Sequence, residues 1–241
     1  SLMATAVNNP FFQIGLDVAG RPCLVIGGGR EAENKTERLL EAGADLTLVS
    51  PRLTPALREW ATAERLVHHQ RTFRPSDMEG AFLVLNTVGG DPELSRQVFA
   101  LASRQGCLIN SYDSPDFSNF GMVALVRPGH LRLGIGTSNA SPALAGRLCR
   151  DLESIFDREF VDYLDLLARV RARVRERVSD LPRCAALLRP LVRDFHLEGR
   201  LRYPENWRQQ LTTLLTCDFE HCATPQRCPA CPLLPLDADD D

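Results

Sequence analysis

The chain has 241 residues, 44% of them hydrophobic and 24% charged, with a formal net charge of −3. That composition belongs to a globular protein with room for one large or two modest domains. The near-balanced charge argues against a nucleic-acid partner, and no apolar run approaches the roughly 20 residues of a membrane helix, so the expectation is a cytoplasmic protein with no membrane partner.

From Pro22 onward the pattern is apolar run, glycine turn, helix, apolar run. "PCLVIGGG" reads as a buried strand, "EAENKTERLLEAGA" as a helix closed by Gly43, and "LTLVSP" as a second strand stopped by Pro51. A helix "TPALREWATAERL", a strand "LVHHQRTF", a buried strand "AFLVLNTV", a helix "DPELSRQVFALASRQG" and a strand "CLINSYD" follow. Apolar strands alternating with helices imply a parallel sheet covered on both faces, so the fold class is α/β, a doubly wound Rossmann-like sheet. In that setting Gly27-x-Gly29-x-x-Ala32 fits the dinucleotide fingerprint, with pyrophosphate on the helix N-terminus. The acid that usually holds the adenosine ribose at the end of the second strand is absent. Ser50-Pro51-Arg52 stand there instead, and Arg52 leaves a 2′-phosphate open.

Past Asp113 the repeat stops. Asp113 falls where the last parallel strand ends, the edge at which such sheets hold ligands. "FGMVALVRPGHLRLGIGT" reads as a hairpin around Arg127-Pro128-Gly129-His130, and Ser141-Pro142 as a helix start, with Ser141 the N-cap. The chain is then helical. Val161, Leu164, Leu167 or Ala168, Val170, Val174 and Val178 recur at helical spacing, and arginines from Arg169 to Arg177 spread around a solvated exterior. Of eight cysteines, Cys23, Cys107, Cys149 and Cys184 are scattered. Cys217, Cys222, Cys228 and Cys231 crowd together with thiolate spacing suited to zinc or an iron–sulfur cluster, and are otherwise a reduced tail.

The order "LVIGGGREAENKTERLLEAGADLTLVSP", "INSYDSPDFSNF", "LRLGIGTSNASPALAGRLCRDLE" resembles the precorrin-2 dehydrogenase family, the N-terminal dehydrogenase/chelatase module of siroheme synthases. The resemblance covers about residues 10 to 160 and implies a nucleotide-binding domain, a small β segment through which two subunits intertwine, and a helical domain. The expected division is residues 1–112 for NAD binding, 113–146 for the β dimerisation segment, 147–215 for helices and 216–241 for the cysteine-rich tail. It implies NAD-dependent oxidation of precorrin-2 to sirohydrochlorin by a homodimer, with iron insertion as a second activity in some members. A non-catalytic nucleotide or tetrapyrrole sensor is the alternative on the same fold.

Carried over by position, Gly27, Gly28, Gly29, Arg30 and Glu31 resemble the pyrophosphate site, and Ser50-Pro51 the Ser-Pro after the second strand. Thr87, Val88 and Gly89 lie where the cofactor passes the fourth strand, although the family's threonine there is replaced by Gly89. Asp113, in Asn110-Ser111-Tyr112-Asp113, matches the family's essential aspartate and is the expected base. The tetrapyrrole carries eight carboxylates. That makes Arg127, His130, Arg147 and Arg150 candidate cations and Thr137, Ser138, Ser141 and Asn110 candidate hydrogen-bonding partners. Ser138-Asn139 stand in place of a family Gly-Gly.

Overall fold

The computed structural model describes residues 11–199, 201–203, 208, 209, 212 and 215. Strands β1 (Pro22–Ile26), β2 (Asp45–Val49), β3 (Val67–His69), β4 (Leu83–Asn86) and β5 (Leu108–Ser111) form one parallel sheet in the order β3-β2-β1-β4-β5. The order reverses between β1 and β4, which places a crevice at the carboxyl ends of those two strands. Helices α1 (Arg30–Glu41) and α2 (Pro55–Thr62) supply one layer and α3 (Pro92–Gln105) the other.

The two cores follow from strand alternation. Cys23 and Val25 of β1 face one way with Ala32 and Leu39 of α1 and Leu57 of α2. Leu24 and Ile26 face the other way with Val98 and Ala102 of α3. Each buried Leu or Ile contributes about 1.5–3 kcal/mol. The helix ends are set locally. Thr54 caps α2 by accepting from Leu57 N, Asp91 caps α3 by accepting from Leu94 N, and Gly106 ends α3 in the left-handed region at φ +68°.

Two strands are shorter than the sequence suggests. β3 keeps three residues because it is an edge strand whose Val67 is exposed. Beyond it Arg71 turns away to clasp Asp77. β5 stops at Ser111 because Asp113 adopts φ +52° in a turn closed by Ser114 N donating to Ser111 O at 3.2 Å. On the open side of β5, Asn119 stands in for a strand. Its backbone N–H donates to Ile109 O, its Oδ1 accepts from Ile109 N, and its Nδ2 donates to Cys107 O.

The chain then makes an antiparallel hairpin, β6 (Ala124–Val126) and β7 (Leu133–Ile135), against α4 (Pro142–Glu153). The boundary expected after residue 146 falls inside α4. Helix α5 (Arg158–Arg177) has half-buried Val161, Leu164, Leu167 and Val174 along the expected stripe but no buried residue, and Ala168 and Val170 are exposed. The chain divides into compact units Ser1–Arg173 and Val174–Asp241. Within the second, α6 (Leu181–Leu188) is capped by Asp180 and buries Cys184, whose Sγ donates to Val178 O. Among the described residues no helix is long and apolar enough to cross a membrane.

Candidate dinucleotide site and the edge beside it

Three successive glycines at the β1–α1 bend have three different surroundings. Gly27 sits at φ +112°, and a Cβ there would lie 2.3 Å from Thr87 Oγ1, which donates to Ile26 O at 2.8 Å. A Cβ on Gly28 would lie 1.9 Å from Arg52 O and 2.6 Å from Ser50 Oγ. Around Gly29 there is nothing within 4 Å. The first two glycines therefore make room for the protein's own loops, while the third leaves room outside the protein. Gly29 is also the N-cap of α1 and offers no side-chain cap, so the first-turn N–H groups of α1 face that space with the positive end of the helix dipole. Space, uncapped donors and dipole together fit a pyrophosphate.

The β2–α2 loop is tied to the glycine loop. Ser50, 6% exposed, donates its hydroxyl to Arg52 O at 2.7 Å, and Thr54 N donates to Gly28 O at 3.0 Å. The Ser50 proton is thus engaged internally, and its oxygen also accepts from Arg52 N at 3.4 Å. Pro51 is exposed beside it. Arg30, at the start of α1, is exposed. Glu31 lies 4.0 Å from Lys35 Nζ, one turn further along α1.

Past β4, the buried Asn86 organises the crossover. Its Nδ2 reaches Ser95 Oγ at 3.2 Å and Ser111 Oγ at 3.5 Å, and its Oδ1 accepts from Val88 N at 3.2 Å. Gly89 lies against the ring of Tyr112, which a Cβ would approach to 3.5 Å. Asp113 follows on the same carboxyl edge as Gly29. Two strand spacings separate β5 from β1, or about 10 Å. The Asp113 side chain is exposed and bonds to no described residue. A non-glycine residue in the left-handed region costs on the order of 1–3 kcal/mol and is a recognised mark of functional turns.

The residues expected to meet carboxylates are mostly engaged within the protein. Arg127 pairs with Glu37 and Glu41 of α1, both at 2.5 Å. Hydrogen bonding to these carboxylates, Glu37 foremost, raises the guanidinium's affinity for its proton above the ordinary value against the opposing effect of burial. In this structure it fastens the hairpin to α1. Arg147 pairs with Asp151 one turn along α4, and His130 Nε2 lies 3.5 Å from Asp165. Asn110 Nδ2 donates to Phe120 O. Arg150 pairs with no carboxylate among the described residues and is exposed. Thr137 Oγ1 accepts from Ser141 N, and Ser141 Oγ accepts from Leu144 N as the N-cap of α4. Ser138 and Asn139 occupy φ +52° and +63° between them, in a turn closed by Ala140 N to Thr137 O.

The clamp by Arg127 and the Asn86 network were not foreseen. A lone Asn inside "LVLN" was the available signal for the second, since a buried amide demands partners. The cysteines Cys217, Cys222, Cys228 and Cys231 lie outside the described residues. Among the described ones, Cys23, Cys107, Cys149 and Cys184 are free thiols, and no group of residues could hold a metal ion. Burial, with Asp45 adding to it, pushes the Cys23 thiol up to about 11.

A family described as "Putative NAD(P)-binding" matches residues 14–124. Siroheme synthase from Nitrosococcus oceani is 31% identical over 171 residues, covering 71% of this chain and 36% of that protein. Siroheme synthase from Xylella fastidiosa is 31% identical over 173 residues, covering 72% and 36%. The solved structure of "SirC, precorrin-2 dehydrogenase" superposes with a TM-score of 0.65 at 26% identity, covering 76% of this chain and 90% of that one. The chain is thus similar to the siroheme synthases over most of its own length and to the precorrin-2 dehydrogenase along most of that protein's length. It spans about a third of the length of the siroheme synthases it matches. The glycine loop lies within the stretch matched by the putative NAD(P)-binding family, and Ser50-Pro51 occupy the place where other dinucleotide folds carry an acid.

Proposed function

We propose that the protein oxidises precorrin-2 to sirohydrochlorin with NAD⁺, using the glycine loop for the cofactor and Asp113 as the base. The observation that carries this reading is the pairing of two features on one sheet edge: open space at the uncapped start of α1, and a strained, unpaired carboxylate at the end of β5. Support also comes from the solved precorrin-2 dehydrogenase and the siroheme synthases it resembles.

Oxidation removes a hydride and a proton from the reduced macrocycle. The nicotinamide, when bound, accepts the hydride. The chain's own residues do the rest. Gly29 and the first turn of α1 hold the pyrophosphate, and Ser50 accepts from the adenosine ribose. Thr87 and Val88, at the end of β4, border the path toward β5. Asp113, exposed and without a hydrogen-bonding partner among the described residues, takes the proton released as the hydride leaves. Thr137, Ser138 and Arg150, at the start of α4 and along it, are the groups proposed to meet the substrate's carboxylates, and Arg127 keeps the hairpin beside them in place.

The proposed assembly is a homodimer joined through the β6–β7 hairpin, as the family resemblance implies. The test of function is direct. Incubated with precorrin-2 and NAD⁺, the protein should generate sirohydrochlorin absorbance together with NADH. Tight binding of both without turnover would replace the enzyme with a sensor.

A further inference from the structure

We infer that the ring of Tyr112 is the stacking surface for the macrocycle, covering an apolar face of the tetrapyrrole while Asp113 meets its proton. The inference rests on the substrate reading above and adds to it a residue for the part of the substrate that no cation can hold. The carboxylates of such a substrate lie around its rim. Its flat ring system is apolar and leaves water for an aromatic or aliphatic surface.

Packing accounts for every other Phe, Tyr and Trp side chain between Pro22 and Glu153. Trp60, Phe82 and Phe120 pack against one core layer, and Phe73 and Phe99 against the other. Phe117 meets Phe99 edge to face, with ring centroids 6.2 Å apart. Tyr112 alone among them is exposed, at 44%. Its hydroxyl bonds to no described residue.

The ring is nevertheless held in place. Tyr112 N donates to Asn86 O at 2.8 Å, and Asn86 is buried in the crossover network, so the backbone at Tyr112 prolongs the pairing of β4 with β5. One edge of the ring rests on Gly89, where a Cβ would lie 3.5 and 3.6 Å from Tyr112 Cδ1 and Cε1. A braced aromatic ring with two side-chain torsions loses little freedom when a ligand covers it. Asp113 is the next residue, and four linked pyrrole rings are broader than the strand spacing of about 5 Å. A macrocycle that brings a reacting carbon to Asp113 therefore comes within reach of Tyr112 as well. In the same reading the nicotinamide arrives from the other side, past Thr87 and Val88.

The experiment uses the full chain as the parent protein, Tyr112→Phe and Tyr112→Leu. Each is titrated with sirohydrochlorin, followed by its absorbance, and separately with NADH, followed by nicotinamide fluorescence. Tyr112→Phe keeps the ring and should bind sirohydrochlorin within about twofold of the parent. Tyr112→Leu keeps apolar bulk without the flat ring, and should bind it about three- to tenfold more weakly, the range for one aromatic contact. The KM for precorrin-2 should rise by a similar factor at unchanged kcat, while the Kd for NADH and the urea midpoint match the parent in both variants. Sirohydrochlorin binding that Tyr112→Leu leaves intact overturns the inference. So does an equal loss in Tyr112→Phe, which would assign the contact to the hydroxyl. A loss of NADH affinity without a loss for sirohydrochlorin also overturns it, because the ring would then serve the nicotinamide. If the parent protein binds NADH but no sirohydrochlorin, the substrate reading itself fails, a result distinct from the others because no variant is needed to see it.

Discussion

Gly27 and Thr87 meet so closely that a methyl group on the first would lie 2.3 Å from the hydroxyl oxygen of the second, which is itself bonded to Ile26 O. The loop between β1 and α1 is thus locked to the end of β4 by the absence of a side chain. Gly28 is locked in the same way to the backbone of Arg52. Gly29 is locked to nothing.

This difference predicts opposite outcomes for three alanine substitutions. Gly28→Ala must move backbone, and Gly27→Ala adds left-handed strain to its clash, so each should cost at least about 2–3 kcal/mol in urea unfolding. Gly29→Ala, at φ −89°, should cost no more than about 1 kcal/mol, the usual difference at an N-cap. It should nevertheless weaken NADH binding by about tenfold or more, because its methyl enters the space left for phosphate. Equal stability losses at all three positions would contradict the division of labour.

Asp113 is tested without disturbing its turn by Asp113→Asn, since Asn tolerates the left-handed region as well as Asp does. A lost general base lowers turnover by about 10²–10⁴-fold. The expected result is a fall in kcat of that order with the Kd for NADH unchanged. Asp113→Gly should lose activity too while gaining up to about 1 kcal/mol of stability from relieved strain. A fully active Asp113→Asn enzyme would reduce the residue to a turn former.

Much of this was legible in the sequence because it depends on local, periodic signals. The strand–helix alternation from Pro22 to Ser111, the Ser141 cap, and the hairpin around Pro128 all follow from residue type and spacing. What could not be read was pairing across the fold. Arg127 lies 90 positions from Glu37, and no spacing rule links them. A free cation and a clamped one have the same letter. The glycine fingerprint likewise gave no special task to Gly28, whose reason lies in the carbonyl of a residue on another loop. The early end of β5 was hidden because "CLINSYD" has strand composition throughout, and only the backbone at Asp113 breaks it.

Asp77 supplies a pH dependence with a definite sign. Arg71 donates to it at 2.6 and 2.8 Å and Arg74 N at 2.7 Å. Chiefly through the Arg71 hydrogen bond, and against the effect of burial, its carboxyl is held below the ordinary value. A depressed folded-state pKa means the stabilisation is complete above the unfolded value, about 4, and is lost as pH falls through the folded value. Asp77→Asn should therefore cost about 2 kcal/mol near pH 7, the scale of charged hydrogen bonds. Below about pH 4 the gap between parent and variant in urea melts should close. A gap that stays constant down to pH 3 would show that the loss is one of packing.

Ser138 and Asn139 take positive φ in succession, the geometry of a type I′ turn, for which Gly and Asn are suited and Ser is not. Ser138 gives that turn strain with no hydrogen bond from its own side chain to a described residue to offset it. Ser138→Gly should accordingly raise stability by about 1 kcal/mol, and Asn139→Gly by less, since Asn visits this region readily. If the serine is retained because its hydroxyl meets a substrate carboxylate, the more stable Ser138→Gly protein should show a raised KM for precorrin-2 at unchanged kcat. If the turn only starts α4, KM should not move. Thermal melts and initial rates on the same variant separate the two roles, because strain relief acts on the first and a lost ligand on the second.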